Sequence, residues 1–237
     1  MKMAMLRVGI DTGSGGTHGP LFQDGTFEFV PIPDSLGVEL RTYGNMVGRK
    51  RRKLVDYIPK RLQAKMRNQS IHVDPEFVTF TYGDPTRPKS RLRTLEQGDM
   101  LVFYCGLQGW DFESKPALYL IAYFEVLTAG RASEFSSAEL DELFGKNFHV
   151  RHQEVFERQK DRLVLVKGSP NSRLLKQAVP ISAVGQTAAG KPLKILSSDM
   201  QEIFGDFKGK VGFQRSPTRW VDAAYVARAM EFVRSLD

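Results

Sequence analysis

Cysteine is almost missing from this chain of 237 residues. The lone Cys105 excludes an internal disulfide and a multi-cysteine zinc site, and its setting in Leu101-Val102-Phe103-Tyr104-Cys105 reads as a buried apolar thiol rather than a nucleophile. Long apolar runs are missing as well. No segment approaches the roughly eighteen residues of a membrane helix, and Met1 to Met5 leads into a strand without a signal-peptide core. The expectation is a soluble, cytoplasmic protein with no membrane partner. Repeats, low-complexity tracts and linkers are not seen, so residues 1-237 read as one domain, long enough to bury a sizeable core. Acidic residues are in short supply, 27 against 34 lysines and arginines, and the net charge of +7 points to a polyanionic partner or an anionic ligand.

What the chain does have is a dense polar loop near its start. The apolar run Met5 to Ile10 reads as a buried strand, and Asp11-Thr12-Gly13-Ser14-Gly15-Gly16-Thr17-His18-Gly19-Pro20 follows at once. Glycines permit positive φ and let backbone N–H groups converge. Thr12, Gly13, Ser14, Gly15, Gly16 and Thr17 therefore form a candidate nest for phosphate, with Asp11 as an acid–base carboxylate at the strand end and His18 as a proton carrier. A tight turn in which Asp11 and Ser14 bond their own backbone would use the same residues. The spacing fits neither GxxxxGK[ST] nor GxGxxG, so a standard nucleotide fingerprint is not supported.

A second constellation is Ile71-His72-Val73-Asp74-Pro75-Glu76-Phe77. On an extended backbone His72, Asp74 and Glu76 share one face, as candidate acid–base groups and, together with Asp11, as candidate ligands of a divalent metal. Pro75 argues against a central strand and leaves a surface turn capped by Asp74 as the alternative. Tyr82-Gly83-Asp84 follows, with Tyr82 and Asp84 as candidate ligand contacts. His149 and His152, at i and i+3, read as a packed or exposed pair rather than a metal site.

Basic residues fall in clusters. Gly48-Arg49-Lys50-Arg51-Arg52-Lys53 precedes a helical pattern from Leu54 to Met66, in which Pro59 marks a start or a kink, and Pro85 to Arg93 reads as a basic loop. Lys167 ends the strand pattern Leu163 to Gly168, and Ser172 and Arg173 introduce a helix expected over Leu174 to Ala178. Gln214, Arg215, Ser216 and Arg219 surround a proline turn ahead of a final amphipathic helix, Trp220 to Leu236. Each cluster offers the donors of a phosphate site.

Asp24-Gly25 is a hairpin signal, and the run from Leu95 to Leu127 reads as part of a small antiparallel barrel. In Leu95-x-x-Gly98-Asp99-x-Leu101-Val102-Phe103-Tyr104 it resembles the PUA-like superfamily, whose barrels hold RNA or modified bases. That resemblance makes Tyr104 and Trp110 candidates for stacking on a base, and Trp220 is a further one. Over nearly the whole chain, Asp11 to Pro20, His72-x-Asp74-Pro75-Glu76-Phe77, Tyr82-Gly83-Asp84 and Gln214-Arg215-Ser216-Pro217-x-Arg219-Trp220 resemble the third of the nucleotide modification-associated domain families. The resemblance implies an association with DNA-base or nucleotide modification systems of prokaryotes and their viruses. It names neither a reaction nor a catalytic residue.

The fold expectation is mixed α/β: a central mixed sheet, or a partly closed PUA-like barrel at about residues 71-128, with flanking helices and a mainly helical C-terminal third. The functional expectation is a protein that binds DNA, RNA or a nucleotide and takes part in its modification. It would act as an enzyme, as a PUA-like reader of a modified base, or as a scaffold subunit of a modification complex.

Overall fold

The computed structural model describes residues 1–187, 189–213 and 217–236. In chain order the first half holds β1 (Met3–Arg7), β2 (Gly19–Leu21), β3 (Ile32–Pro33), α1 (Lys60–Met66), β4 (Ile71–His72), β5 (Thr81–Asp84), β6 (Met100–Gly109) and β7 (Ala117–Arg131). The second half holds α2 (Ser137–Phe144), α3 (Phe148–Arg151), α4 (Gln153–Gln159), β8 (Val164–Gly168), β9 (Arg173–Pro180), β10 (Ser182–Gln186), β11 (Pro192–Leu196), α5 (Ser198–Phe204), β12 (Arg219–Trp220) and α6 (Ala223–Arg234).

The centre is a mixed eight-stranded sheet running β12-β1-β6-β7-β8-β5, with β2 also on β6 and β9 also on β7. Its strands are apolar on both faces because both faces are covered. Met3 and Met5 of β1, with Met100, Val102 and Tyr104 of β6, pack under α5 and α6 against Phe204, Met230 and Val233. The alternate residues Ala4, Leu6, Leu101, Phe103 and Cys105 enter a second core with Tyr82, Leu92 and Phe124. Burying each such Leu or Phe side chain contributes roughly 1.5–3 kcal/mol, so β6, buried from Met100 to Leu107, is the spine of the sheet.

The expected hairpin pair from Met100 to Leu127 is present as β6 and β7, but it does not close into a PUA-like barrel. β1 lies parallel to one edge of β6, while β8 and β9 occupy the far side of β7, so the pair is the middle of an open sheet. Local readings hold in several places. Gly25, at φ +77°, closes the turn in which Phe22 N–H bonds Thr26 O, and α1 begins directly after Pro59. Ser136 and Glu139 cap α2 reciprocally.

The stretch Leu174 to Ala178, expected as helix, is strand instead. Its neighbours β8, β10 and β11 make the C-terminal third a mixture of strands and helices. Val179 and Leu174 pair with Leu120 and Ala122 of β7, and this sheet partner outweighs local helix propensity. Trp220 belongs to β12, and the last helix starts after Asp222, whose side chain accepts from Ala224 N. Arg87 to Thr94, expected as loop, forms a 3-10 helix. Among the described residues no helix is long and apolar enough to cross a membrane.

Candidate functional site

Three side chains from two stretches of the chain meet in one place. His72 ends β4, Asp74 lies two residues on, and His149 sits in the first turn of α3, with their donor atoms all within 4.8 Å of one another. α3 is set there by Asn147, fully buried, whose Oδ1 accepts from His149 N at 3.0 Å and whose Nδ2 reaches Thr81 Oγ1 on β5 at 3.3 Å. Gly83 is the reason the two elements can approach. A Cβ there would lie 2.9 Å from both Asn147 Oδ1 and His149 Cδ2.

Two members of the trio, Asp74 and His149, are held by polar contacts. Gly83 N donates to Asp74 Oδ2 at 2.9 Å, and His149 Nε2 lies 3.4 Å from that same oxygen. His149 Nδ1 meets Gln159 Oε1 of α4 at 2.7 Å. The second carboxylate oxygen, Asp74 Oδ1, is buried with no hydrogen-bond partner among the described residues. Burial raises the Asp74 pKa to about 6 against the opposing bonds from His149 and Gly83, and burial with two neighbouring imidazoles lowers that of His72 to about 3. Burial also acts to lower His149, but its contact with Asp74 outweighs it and the pKa is raised.

The trio opens on a cleft of about 450 Å³ whose wall includes Arg7, Tyr82, Asp84, Pro88 and Lys89. Tyr82 OH donates to Asp84 Oδ2 at 2.9 Å, and Asp84 Oδ1 accepts from Thr86 N, so these two shape the wall. Arg7 is the last residue of β1. Its Nη2 lies 3.6 Å from Asp11 Oδ2, and its Nε is buried without a hydrogen-bond partner among the described residues.

Through Arg7 the glycine loop touches the cleft, although Asp11 and His18 are not among the residues of its wall. Asp11 O accepts from Ser14 N and Gly16 N, while its Oδ1 accepts from Gly13 N at 2.8 Å and Ser14 Oγ at 3.1 Å. The loop therefore folds on its own carboxylate, the tight turn that the sequence also allowed. Thr12, Gly13 and Gly16 are exposed, Gly15 packs on Ile10, and Thr17 is buried with its hydroxyl toward His18 O. His18 rests on the backbone of Gly106 and is buried. Its pKa is lowered to about 4 by that burial and by Lys194 and Arg7, with Asp11 opposing, so the ring is neutral at neutral pH.

Glu76 leaves the group in which its spacing placed it. The extended run stops at His72, Asp74 N bonds His72 O across a tight turn, and the alternation of faces ends there. Glu76 instead accepts from Val78 N, Thr79 N and Thr79 Oγ1 in the next turn. The seat expected for Glu76 is taken by His149, and no local spacing announces this. The usable signals were Gly83 between two polar residues and a lone Arg7 closing an apolar strand.

Of the other expected phosphate contacts, Lys167, Arg173 and Arg219 bond backbone oxygens of the chain itself. Lys167 Nζ donates to Thr79 O, Arg173 donates to Pro170 O and Ser172 O, and Ser172 is fully buried. Arg219 donates to Lys210 O and Gly212 O. Gln214, Arg215 and Ser216 lie outside the described residues. Of the expected stacking residues, Tyr104 is fully buried in the core and offers no face to a base. Trp110 meets Phe22 edge-on at 5.1 Å with Arg52 over its ring at 4.9 Å. Trp220 carries Arg91 at 4.3 Å and lines a second cleft, about 500 Å³, with Lys2, Lys208, Lys210 and Arg219. With the sheet open, no aromatic barrel mouth is formed among the described residues.

A family model described as nucleotide modification associated domain 3 matches residues 2–235. The chain belongs to this family. The match spans the glycine loop, the His72–Asp74–His149 trio and the basic second cleft alike, so the family covers the whole fold rather than one motif. Comparison with curated proteins and with solved structures finds no match. Membership in the family associates the protein with nucleotide or DNA modification.

Proposed function

We propose that this protein binds a nucleotide, free or within a nucleic acid, in the cleft beside the trio and acts there as the modifying enzyme. The observation that supports this reading is the cleft itself: Arg7 and Lys89 line the same space as His72, Asp74 and His149. A guanidinium offers a rigid fork for a phosphate, and a space of several hundred cubic ångströms suits one nucleotide. The phosphate would be held by Arg7 and Lys89, which leaves sugar or base over the trio.

The cations beyond the cleft favour a polymer. The 3-10 helix from Arg87 to Thr94 stands between the two clefts, giving Lys89 to the first and Arg91 to the second. A strand of DNA or RNA crossing it would place one nucleotide at the trio and its neighbour near Trp220. The test is calorimetric titration of nucleoside monophosphates and of short single-stranded oligonucleotides into wild type and Arg7→Met. Loss of a charged hydrogen bond predicts a drop in affinity of roughly ten- to a hundredfold. Equal affinity in the two proteins would overturn the assignment.

A further inference from the structure

The bonds of His149 leave an unbalanced contact inside the trio. With Gln159 Oε1 as the acceptor, the 2.7 Å bond takes a proton on His149 Nδ1. In the neutral ring the Nε2 lone pair then points at Asp74 Oδ2, 3.4 Å away, an oxygen that already accepts from Gly83 N. In that tautomer two electron-rich atoms face each other in a buried place, and Asp74 Oδ1 beside them is also without a partner among the described residues. Something positive belongs between them. A proton on Nε2 would serve only the Oδ2 contact and would leave both Oδ1 and the His72 ring unused. A metal ion serves all three residues.

We propose that His72, Asp74 and His149 bind one divalent transition-metal ion, with its remaining coordination positions open to the cleft. The geometry fits such an ion. Ligand atoms about 2.0–2.1 Å from a tetrahedral centre lie roughly 3.3 Å apart, and the Nε2 to Oδ2 separation is already 3.4 Å. Two imidazoles with one carboxylate suit zinc, iron(II), manganese or cobalt and do not suit magnesium or calcium, which take oxygen ligands. Three protein ligands are fewer than a structural zinc site uses, and the free positions point to a reacting centre. Gln159 orients His149 from behind, as the outer partners of metal-bound histidines do. This inference deepens the reading of the cleft given above, and it stands on separate observations.

The experiment is titration of the tag-free, chelator-stripped protein with cobalt(II), zinc(II) and magnesium(II), followed by calorimetry and by the visible absorption of cobalt. One cobalt per chain is expected, displaced by zinc and not by magnesium. His149→Ala and His72→Ala should each weaken binding at least tenfold, and Gln159→Ala about tenfold. Glu76→Gln should leave the affinity unchanged, and circular dichroism would verify that each variant is folded. Arg7→Met should bind cobalt normally even where it has lost nucleotide, which separates failure of this inference from failure of the nucleotide assignment. Absence of stoichiometric binding, or binding indifferent to both histidine variants, would overturn the proposal. So would a proton found on His149 Nε2 by nitrogen NMR in the zinc-saturated protein.

Discussion

His18 should make the stability of the folded chain depend on pH in a way that one substitution removes. The ring is buried on Gly106, and that burial, with Lys194 and Arg7 nearby, lowers its pKa from 6.5 to about 4. Between those two values the unfolded chain holds a proton that the folded chain refuses, so stability falls as pH falls through the window and levels off below it. The gap corresponds to a loss on the order of 3 kcal/mol, a large part of the 5–15 kcal/mol that holds a typical domain together. Urea unfolding of wild type and His18→Asn at half-unit steps from pH 7.5 to 4.5 would measure it. The difference between the two proteins should shift steadily in favour of the variant below pH 6.5. Because other groups titrate equally in both, the difference isolates His18. Lys194→Met should raise the His18 pKa and shallow the slope. Parallel stability curves for wild type and His18→Asn would refute the account of this loop.

Gly83→Ala should destabilise by about 1–3 kcal/mol, since its methyl would press on Asn147 and His149, and a thermal melt would record it. Asn147→Ala removes the cap of α3 and the tie to Thr81 and should cost about 1–2 kcal/mol, measurable by urea unfolding. Tyr104→Phe deletes a buried hydroxyl that has no partner among the described residues. Its stability should change by less than about 1 kcal/mol or rise, and its affinity for oligonucleotide should equal that of wild type. A loss of stability well above that in this variant would show that the hydroxyl is held by a partner after all.

Legibility in the sequence followed the range of the interactions. The strands β1, β6, β7 and β8 were visible as apolar runs because both faces of the sheet are covered, and runs of that kind need no partner to be recognised. Caps and turns written in adjacent residues, such as Ser136 with Glu139 or Asp24-Gly25, were equally plain. β9 is hidden from local sequence because its strand character comes from β7, more than forty residues away in sequence, as the register Ala122 to Leu174 shows. The site divides in the same way. His72 and Asp74 were legible as neighbours of suitable chemistry, whereas Arg7 and His149 join them only through the fold. Glu76 stands apart from its sequence neighbours because the alternation of faces ends at a tight turn after His72. The glycine loop was read for its composition, and its backbone bonds close on Asp11.

The most direct test of the cleft is a nitrogen-labelled histidine NMR spectrum recorded while a nucleotide or short oligonucleotide is added. The chain has four histidines, so each ring can be assigned by a single substitution. We predict that His72 and His149 shift with saturating behaviour as ligand fills the cleft, while His152, beside Glu39, stays in place. Saturated binding with His72 and His149 unmoved would put the nucleotide elsewhere on the protein and contradict the account.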